Sequence, residues 1–510
     1  MIIEALIGFT FLAALVVMLA PDKYAGKLAF GLSLLPVVGS LYMWAGFDAG
    51  GNALMAGSIA YQTQIEWLTA FGYELQWFVG VDGISLPLVV LSTVLTSLAI
   101  LSAWTPIDAR QSQFYGLMLF MEANLIGVFT ALDFFLWFVF WEAVLVPMYF
   151  LIGVWGGPRR KYAAIKFFVY TNIASLAMFI AFMALVFNLP VSSFGLPEIT
   201  QSLQAGELSG FVGLDPATLK LAAFVAMFAG FAVKVPVVPV HTWLPDAHVE
   251  APTPVSVMLA GVLLKMGTYA LLRFNFTMLP DVATRPLVAG AIAAVAVISV
   301  IYGAMLALAQ QDLKRIVAYS SVSSMGYVIL GLVAYTALGV GGATFQMIAH
   351  GLISGLMFMA VGVIYNVTHT RMVGDMSGMA DRMPITVGIL IAGAFGYMGL
   401  PLMAGFAAEY FIFQGAFAST VIPSAPLFTA ASMFGIVIVA GYLLFAMQRT
   451  LFGEFRLETD YEVSRAAFHD VAPLAVLLLC TIALGVAPSI FFEMITDAIE
   501  PVVAVVGGGA

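Results

Sequence analysis

Runs of about twenty apolar residues recur along nearly the whole chain, and that repetition leaves it one solvent. Roughly 20 such residues cross the hydrocarbon core of a bilayer as a helix. Inside that core each backbone N–H and C=O must find its partner within the segment. By this ruler the sequence predicts fourteen membrane helices, at about 3–20, 27–46, 84–104, 114–131, 133–155, 164–189, 217–240, 252–277, 287–308, 314–337, 340–365, 386–416, 426–450 and 472–495. Charged residues make up only 9% of 510 positions against 62% hydrophobic, where a soluble domain carries about 25% charged. The expected fold class is an all-α membrane protein, one polytopic domain spanning 1–510. Its first apolar run has no basic residue before it, so it reads as a retained span and not a signal peptide.

Basic residues orient the spans. Lys23, Lys27, Arg110, Arg159, Arg160, Lys161, Lys166, Lys314, Arg315, Arg371, Arg382, Arg449, Arg456 and Arg465 lie in or beside loops that follow odd-numbered helices. Lys220, Arg273 and Arg285 flank loops after even-numbered ones, and the segment 47–83 holds Asp48, Glu66, Glu74 and Asp82 without a Lys or Arg. The positive-inside rule then makes the odd loops cytoplasmic and puts both termini outside. A net charge of −9 without a basic block argues against nucleic acid. The single Cys480 excludes a disulfide framework, a thiolate zinc site and a cysteine-held iron–sulfur cluster.

Two spans read as broken. The seventh carries Pro236, Pro239 and Pro245 within ten residues, and the twelfth carries Gly399, Pro401 and Gly405 at mid-span. Proline removes a backbone bond and crowds the preceding turn. In a membrane such a break survives where the freed backbone faces protein or a wet cavity. Breaks five spans apart predict two five-helix repeats of opposite orientation, as in secondary transporters: helices 4–8 in 111–280 and helices 9–13 in 281–452. Three N-terminal helices (1–110) precede them and a C-terminal helix (453–510) follows.

Titratable groups sit where they are expensive. Glu142, Lys234, Lys265, His350 and Glu409 fall near the middle of predicted spans, and Glu122 lies inside the fourth. A charge at the bilayer centre costs at least ~2.5–3.5 kcal/mol on insertion scales. One buried ion pair would fix helix register, but five such groups exceed what register needs. Burial disfavours the charged form of Glu or Lys, and an opposite charge restores it. A Glu and a Lys that approach and separate therefore make a switchable proton site, and His suits a relay. Mid-span lysines repel Na⁺, so protons fit better. His241 and His248 with Asp246 follow the seventh span, but their spacing matches no familiar metal pattern; Glu250 and His248 read as pins of that loop. Arg159, Arg160 and Lys161 read as a cytoplasmic anchor to lipid headgroups or a neighbouring subunit. Nucleotide-binding glycine motifs are absent from the sequence.

Several blocks carry a family likeness. Phe-Trp-Glu142-Ala-Val-Leu-Val-Pro, Ala-Ala-Ile-Lys166-Phe-Phe-Val-Tyr-Thr, Val-Lys234-Val-Pro, His241-Thr-Trp-Leu-Pro-Asp-Ala-His248, Leu-Leu-Lys265-Met-Gly-Thr-Tyr and Asp312-Leu-Lys-Arg-Ile-Val-Ala-Tyr-Ser-Ser resemble subunit M of bacterial NADH-quinone oxidoreductase, the counterpart of mitochondrial NADH dehydrogenase subunit 4. The likeness covers about residues 80 to 450. It implies a proton-translocating, antiporter-like subunit without a redox centre. Glu142 and Lys234 would form the first pair, Lys265 would link the halves, His350 would relay and Glu409 would face the exit. FMN, iron–sulfur clusters and quinone would belong to other subunits, with L-type and N-type antiporter-like subunits on either side. Relatives of the L, N and multisubunit Na⁺/H⁺ antiporter type generally carry lysine at the position of Glu409. Many M subunits carry histidine where this chain has Ser324, which would pass the central relay to a hydroxyl or water. The alternatives are a subunit of a multisubunit Na⁺/H⁺ antiporter, and a membrane spacer whose charges only hold helices together.

Overall fold

Apolar runs become helices here because hydrocarbon offers the backbone no other partner, and the ends are set where polar side chains replace that partner. A computed structural model describes every residue except 56, 71, 212, 462, 464 and 508–510. Fourteen segments form the membrane body: α1 (Ile2–Leu19), α2 (Asp22–Ala45), α3 (Ser85–Ser102), α4 (Gln111–Thr130), α5 (Phe134–Trp155), α6 (Arg160–Val186), α7 (Pro216–Lys234), α8 (Thr253–Thr277), α9 (Pro286–Leu308), α10 (Leu313–Val333), α11 (Ala337–Thr368), the two halves of α12 (Pro384–Tyr397 and Ala404–Phe417), α13 (Ala425–Leu451) and α14 (Phe468–Val486). Among the described residues twelve are long and apolar enough to cross a membrane unaided; α4 and the two-part α12 complete the set.

Aspartates begin three of them. Asp133 accepts from the N–H groups of Phe135 and Leu136 at 2.9 and 3.1 Å, Asp215 from Ala217 and Thr218, and Asp312 from Lys314 and Arg315 at 2.9 and 3.3 Å. Each cap is worth about 1 kcal/mol. α8, α10 and α11 are almost wholly enclosed. The outer helices turn Leu35, Val38, Ile173, Ile180, Leu287 and Val437 outward, the apolar belt that lipid requires.

Four features depart from the expectation. Segment 47–83 holds an antiparallel hairpin, β1 (Ala60–Ala70) and β2 (Tyr73–Val81), and Met376–Ser377 pairs with Arg456–Leu457, so two small sheets sit outside the helices. β2 joins the 192–195 segment through Glu74 N–H to the Ser192 carbonyl at 2.8 Å. The seventh helix stops at Lys234 instead of 240, since Pro236 ends it. The last predicted span, 472–495, is two elements: α14 ends at Val486, and a separate helix, Ser489–Gly507, follows Pro488. That second helix buries Ile495, Ala498, Ile499 and Val502 and runs against α11.

Arg273, which the sequence places beside an outer loop, instead lies inside α8. Its Nη2 donates to Asp82 Oδ1 at 2.6 Å, both side chains being 1% exposed. Asp82 also accepts from the N–H groups of Ala53, Ile84 and Ser85, and Arg273 Nη1 donates to Asn52 Oδ1 at 3.2 Å. Asn52 Nδ2 then donates to the Ala498 carbonyl of the last helix at 2.9 Å. Removing one partner of a buried pair strands the other, at about 3–5 kcal/mol. Arg273→Met is therefore expected to lower the thermal stability of the purified protein more than Arg273→Met combined with Asp82→Asn does. A double variant no more stable than the single one would contradict this.

Candidate functional site

Breaks and bulges place the charged groups. On α5, Pro147 has no N–H to give the Ala143 carbonyl, and the helix steps at Val144 beside Glu142. Glu142 is only half-buried; its Oε2 accepts from Asn172 Nδ2 of α6 at 3.2 Å, and its Oε1 has no partner. Asn172 itself is exposed, so Oε2 reaches toward the chain's side while Oε1 is buried.

Lys234 is the last residue of α7 and 3% exposed. Its ammonium has no hydrogen-bond acceptor; it lies 4.2 Å from the Trp141 ring centroid, and Glu142 is the carboxylate whose charge reaches it. A desolvated cation–π contact gives about 2 kcal/mol, short of what water gave. The Trp141 ring is thus the group in direct contact with the Lys234 ammonium. The broken backbone after it is repaired from outside: Trp243 Nε1 donates to the Val233 carbonyl at 2.8 Å, and Val238 N–H donates to Ser299 Oγ of α9 at 3.0 Å.

Lys265 follows a π-helical turn, Leu259–Leu263, in α8. Such turns are rare and cluster at functional sites. Lys265 Nζ donates to a carbonyl of this turn, Ala260 O, at 2.5 Å and lies 2.6 Å from His350 Nδ1 of α11. Both residues are essentially unexposed. Two positive charges at that separation repel by about 6 kcal/mol at an effective dielectric near 20, so the two groups are not both cations, and one proton lies in the hydrogen bond between Nζ and Nδ1. His350 Nε2, on the far side of the ring, is unpartnered.

Glu409 sits in the second half of α12, 5% exposed, with Oε2 unpartnered. Its carboxylate folds back onto Gly399 in the break, where φ is +63° and a Cβ would strike Glu409 Oε2. Glu122 is fully buried on α4 and neither of its oxygens is partnered. Ser324 is buried on α10, one turn beyond Ser320 and Ser321.

On the basic face the short helix Trp243–Glu250 is a hub. Asp246 pairs with Lys166 at 2.8 Å and Arg315 at 3.6 Å; Glu250 accepts from Arg159 N–H at 2.8 Å. Glu250 thus pins the α5–α6 loop, whereas His248 is held by stacking on Phe358 at 4.4 Å with both nitrogens unpartnered. His241 is buried between Tyr302 and Tyr319. Sequence reasoning missed Lys314, counted with the loops: it is 5% exposed and donates to the Ala251 carbonyl at 2.5 Å. It missed Asp82 and Arg273 as a pair for the same reason. Hydropathy puts all three at span ends, and only packing buries them.

Residues 131–438 match the family model described as NADH:quinone oxidoreductase/Mrp antiporter, TM. The chain belongs to that family. NADH-quinone oxidoreductase subunit M of Rhodobacter capsulatus is 38% identical over 493 residues, 95% of this chain and 91% of the relative. F(420)H(2) dehydrogenase subunit M of Methanosarcina mazei is 36% identical over 469 residues, 92% of this chain and 91% of its own. A chain of the respiratory complex I structure from Thermus thermophilus superposes with a TM-score of 0.87 at 25% identity, covering 100% of both chains. One from the Mrp complex of Dietzia sp. DQ12-45-1b gives 0.82 at 19%, covering 99% and 98%, a likeness of fold.

Gly399→Ala is expected to push the Glu409 carboxylate out of the break, at roughly 1–2 kcal/mol of added backbone strain. A several-fold loss of proton pumping by the intact complex, with the complex still assembled, is the expected result. Unchanged pumping would show that the carboxylate's position against Gly399 is immaterial.

Proposed function

We propose that this chain is the proton-translocating, antiporter-like membrane subunit of a quinone oxidoreductase, and that Glu142, Lys234, Lys265, His350 and Glu409 form its proton route. The observation that carries the reading is the Lys265–His350 contact: two basic groups 2.6 Å apart, both buried, sharing one hydrogen bond. As a structural device this is poor, because a hydrocarbon pair would pack there without the cost of burial. As a place to pass a proton it is apt, since a change of charge nearby decides which partner holds it.

The step begins at Glu142. When its carboxylate is charged, the ammonium of Lys234 is favoured; when it is protonated or its charge is drawn away, Lys234 is left with Trp141 alone and releases its proton. Loss of that positive charge in turn eases a charge on the Lys265–His350 pair, and His350 passes a proton toward Glu409. Each group thus answers its neighbour's charge, and the chain itself carries out no redox chemistry.

Quinone reduction elsewhere in the complex would drive the first change of charge. FMN and iron–sulfur clusters belong to other subunits in this reading. The electron donor is theirs to choose, which agrees with relatives named for NADH, NAD(P)H and F(420)H(2). Half-exposed Glu142 and Asn172 fit a contact with a flanking antiporter-like subunit, L-type or N-type. The breaks after Lys234 and before Glu409 fit inverted repeats over helices 4–8 and 9–13. Both termini would lie on the outer side of a prokaryotic membrane, with the Arg159–Lys161 loop inside.

Glu142→Gln removes the carboxylate's charge and little else. It is expected to abolish proton pumping by membrane vesicles and most of the coupled quinone reduction, while the complex stays assembled on a native gel. Full pumping by that variant would sink the assignment.

A further inference from the structure

His350 Nε2 and Glu409 Oε2 both lack a hydrogen-bond partner, yet a proton route through these two groups must cross the interval between them. What fills it is hydroxyl. Tyr397 ends the first half of α12, is 5% exposed, and holds its ring 5.8 Å from the His350 ring at an interplanar angle of 69°. Its hydroxyl is buried without a hydrogen-bond partner, as is His350 Nε2. Ser321 of α10 and Ser354 of α11 face that hydroxyl without closing a bond to it. Both serines are spent on long bonds of 3.3 Å to carbonyls of their own helices, Val317 and Gly351, which they can exchange for the tyrosine.

The break in α12 supplies the other end. Two residues past Tyr397 comes Gly399, and against Gly399 lies the carboxylate of Glu409, with Oε2 free. The charge of Glu409 also reaches Tyr442 and Tyr327. Tyr442 donates to Ser320 Oγ at 2.6 Å, one residue from Ser321. Unpaired buried polar atoms are costly, and here three of them, His350 Nε2, Tyr397 Oη and Glu409 Oε2, gather around one broken helix.

We propose that Tyr397 is the proton-conducting hydroxyl between His350 and Glu409. The inference rests on the route proposed above. In the step, Tyr397 Oη accepts a proton from His350 Nε2, directly or through a water, as its own O–H bond passes its proton onward through a Ser321 or water hydroxyl to Glu409. One O–H bond forms as one breaks, tyrosine stays neutral before and after, and no electron moves. A tyrosine at the hinge of a broken helix has a further property: any opening of the α12 break swings Oη relative to Glu409 and interrupts the path.

The test is made in the assembled complex in membrane vesicles. Tyr397→Phe removes an oxygen that holds no bond, and is expected to cause a several-fold loss of proton pumping and a change in its solvent deuterium isotope effect. Tyr397→His keeps a ring that can relay a proton and is expected to retain most of the pumping; should the phenylalanine variant fail to assemble, Tyr397→Leu replaces it against the histidine variant. Equal pumping by the histidine variant and the variant lacking a proton carrier overturns the proposal. Glu142→Gln run in parallel separates the two failures. If it stops pumping while Tyr397→Phe does not, only the role of Tyr397 falls; if it pumps fully, the route itself falls.

Discussion

A backbone group that loses its helical partner inside hydrocarbon has no water to turn to, and this protein is organised around the places where that happens. After Lys234 the chain runs without helix to Thr242, and its freed groups are taken up by Trp243 and by Ser299 of a different helix. The π turn of α8 presents the Ala260 carbonyl to Lys265, whose ammonium donates to it. In α12 the break is lined by glycine and closed over by Glu409. Each irregularity is thus also an address for a charged side chain. A regular helix would have no spare acceptor for an ammonium and no gap for a carboxylate.

The same constraint explains what the sequence discloses. Apolar length reveals a span because nothing else satisfies the backbone, so the fourteen helices and the two breaks are legible from residue types alone. Glu142, Lys234, Lys265, His350 and Glu409 stand out because their cost is visible without coordinates. Pairing is a different matter. That Lys265 meets His350, that Lys234 meets the Trp141 ring, and that Glu142 is half-buried while the others are enclosed depend on helix rotation, which the nearly uniform apolar faces do not encode. Tyr397 escaped notice for a related reason: tyrosine in a membrane helix costs little, so nothing in the sequence sets it apart.

Span ends were the other blind place. Lys314, Asp82 and Arg273 lie where water is normally within reach, and a reading by hydropathy grants it to them. Loops and the Ser489–Gly507 helix cover them instead. The hairpin of 60–81 was hidden likewise: an alternating strand pattern between two spans looks like any polar loop until its partner strand is known.

The bond from Asn52 to the Ala498 carbonyl closes a loop of 446 residues. A chain made from its N-terminus threads α3 and α8 into the membrane long before the residues around 498 leave the ribosome. Through all of that time the Asp82–Arg273 pair lacks its outer lid and remains open to water. Burial of the Asp82–Arg273 pair therefore waits on the Ser489–Gly507 helix, which acts as a latch closed from the far end of the chain.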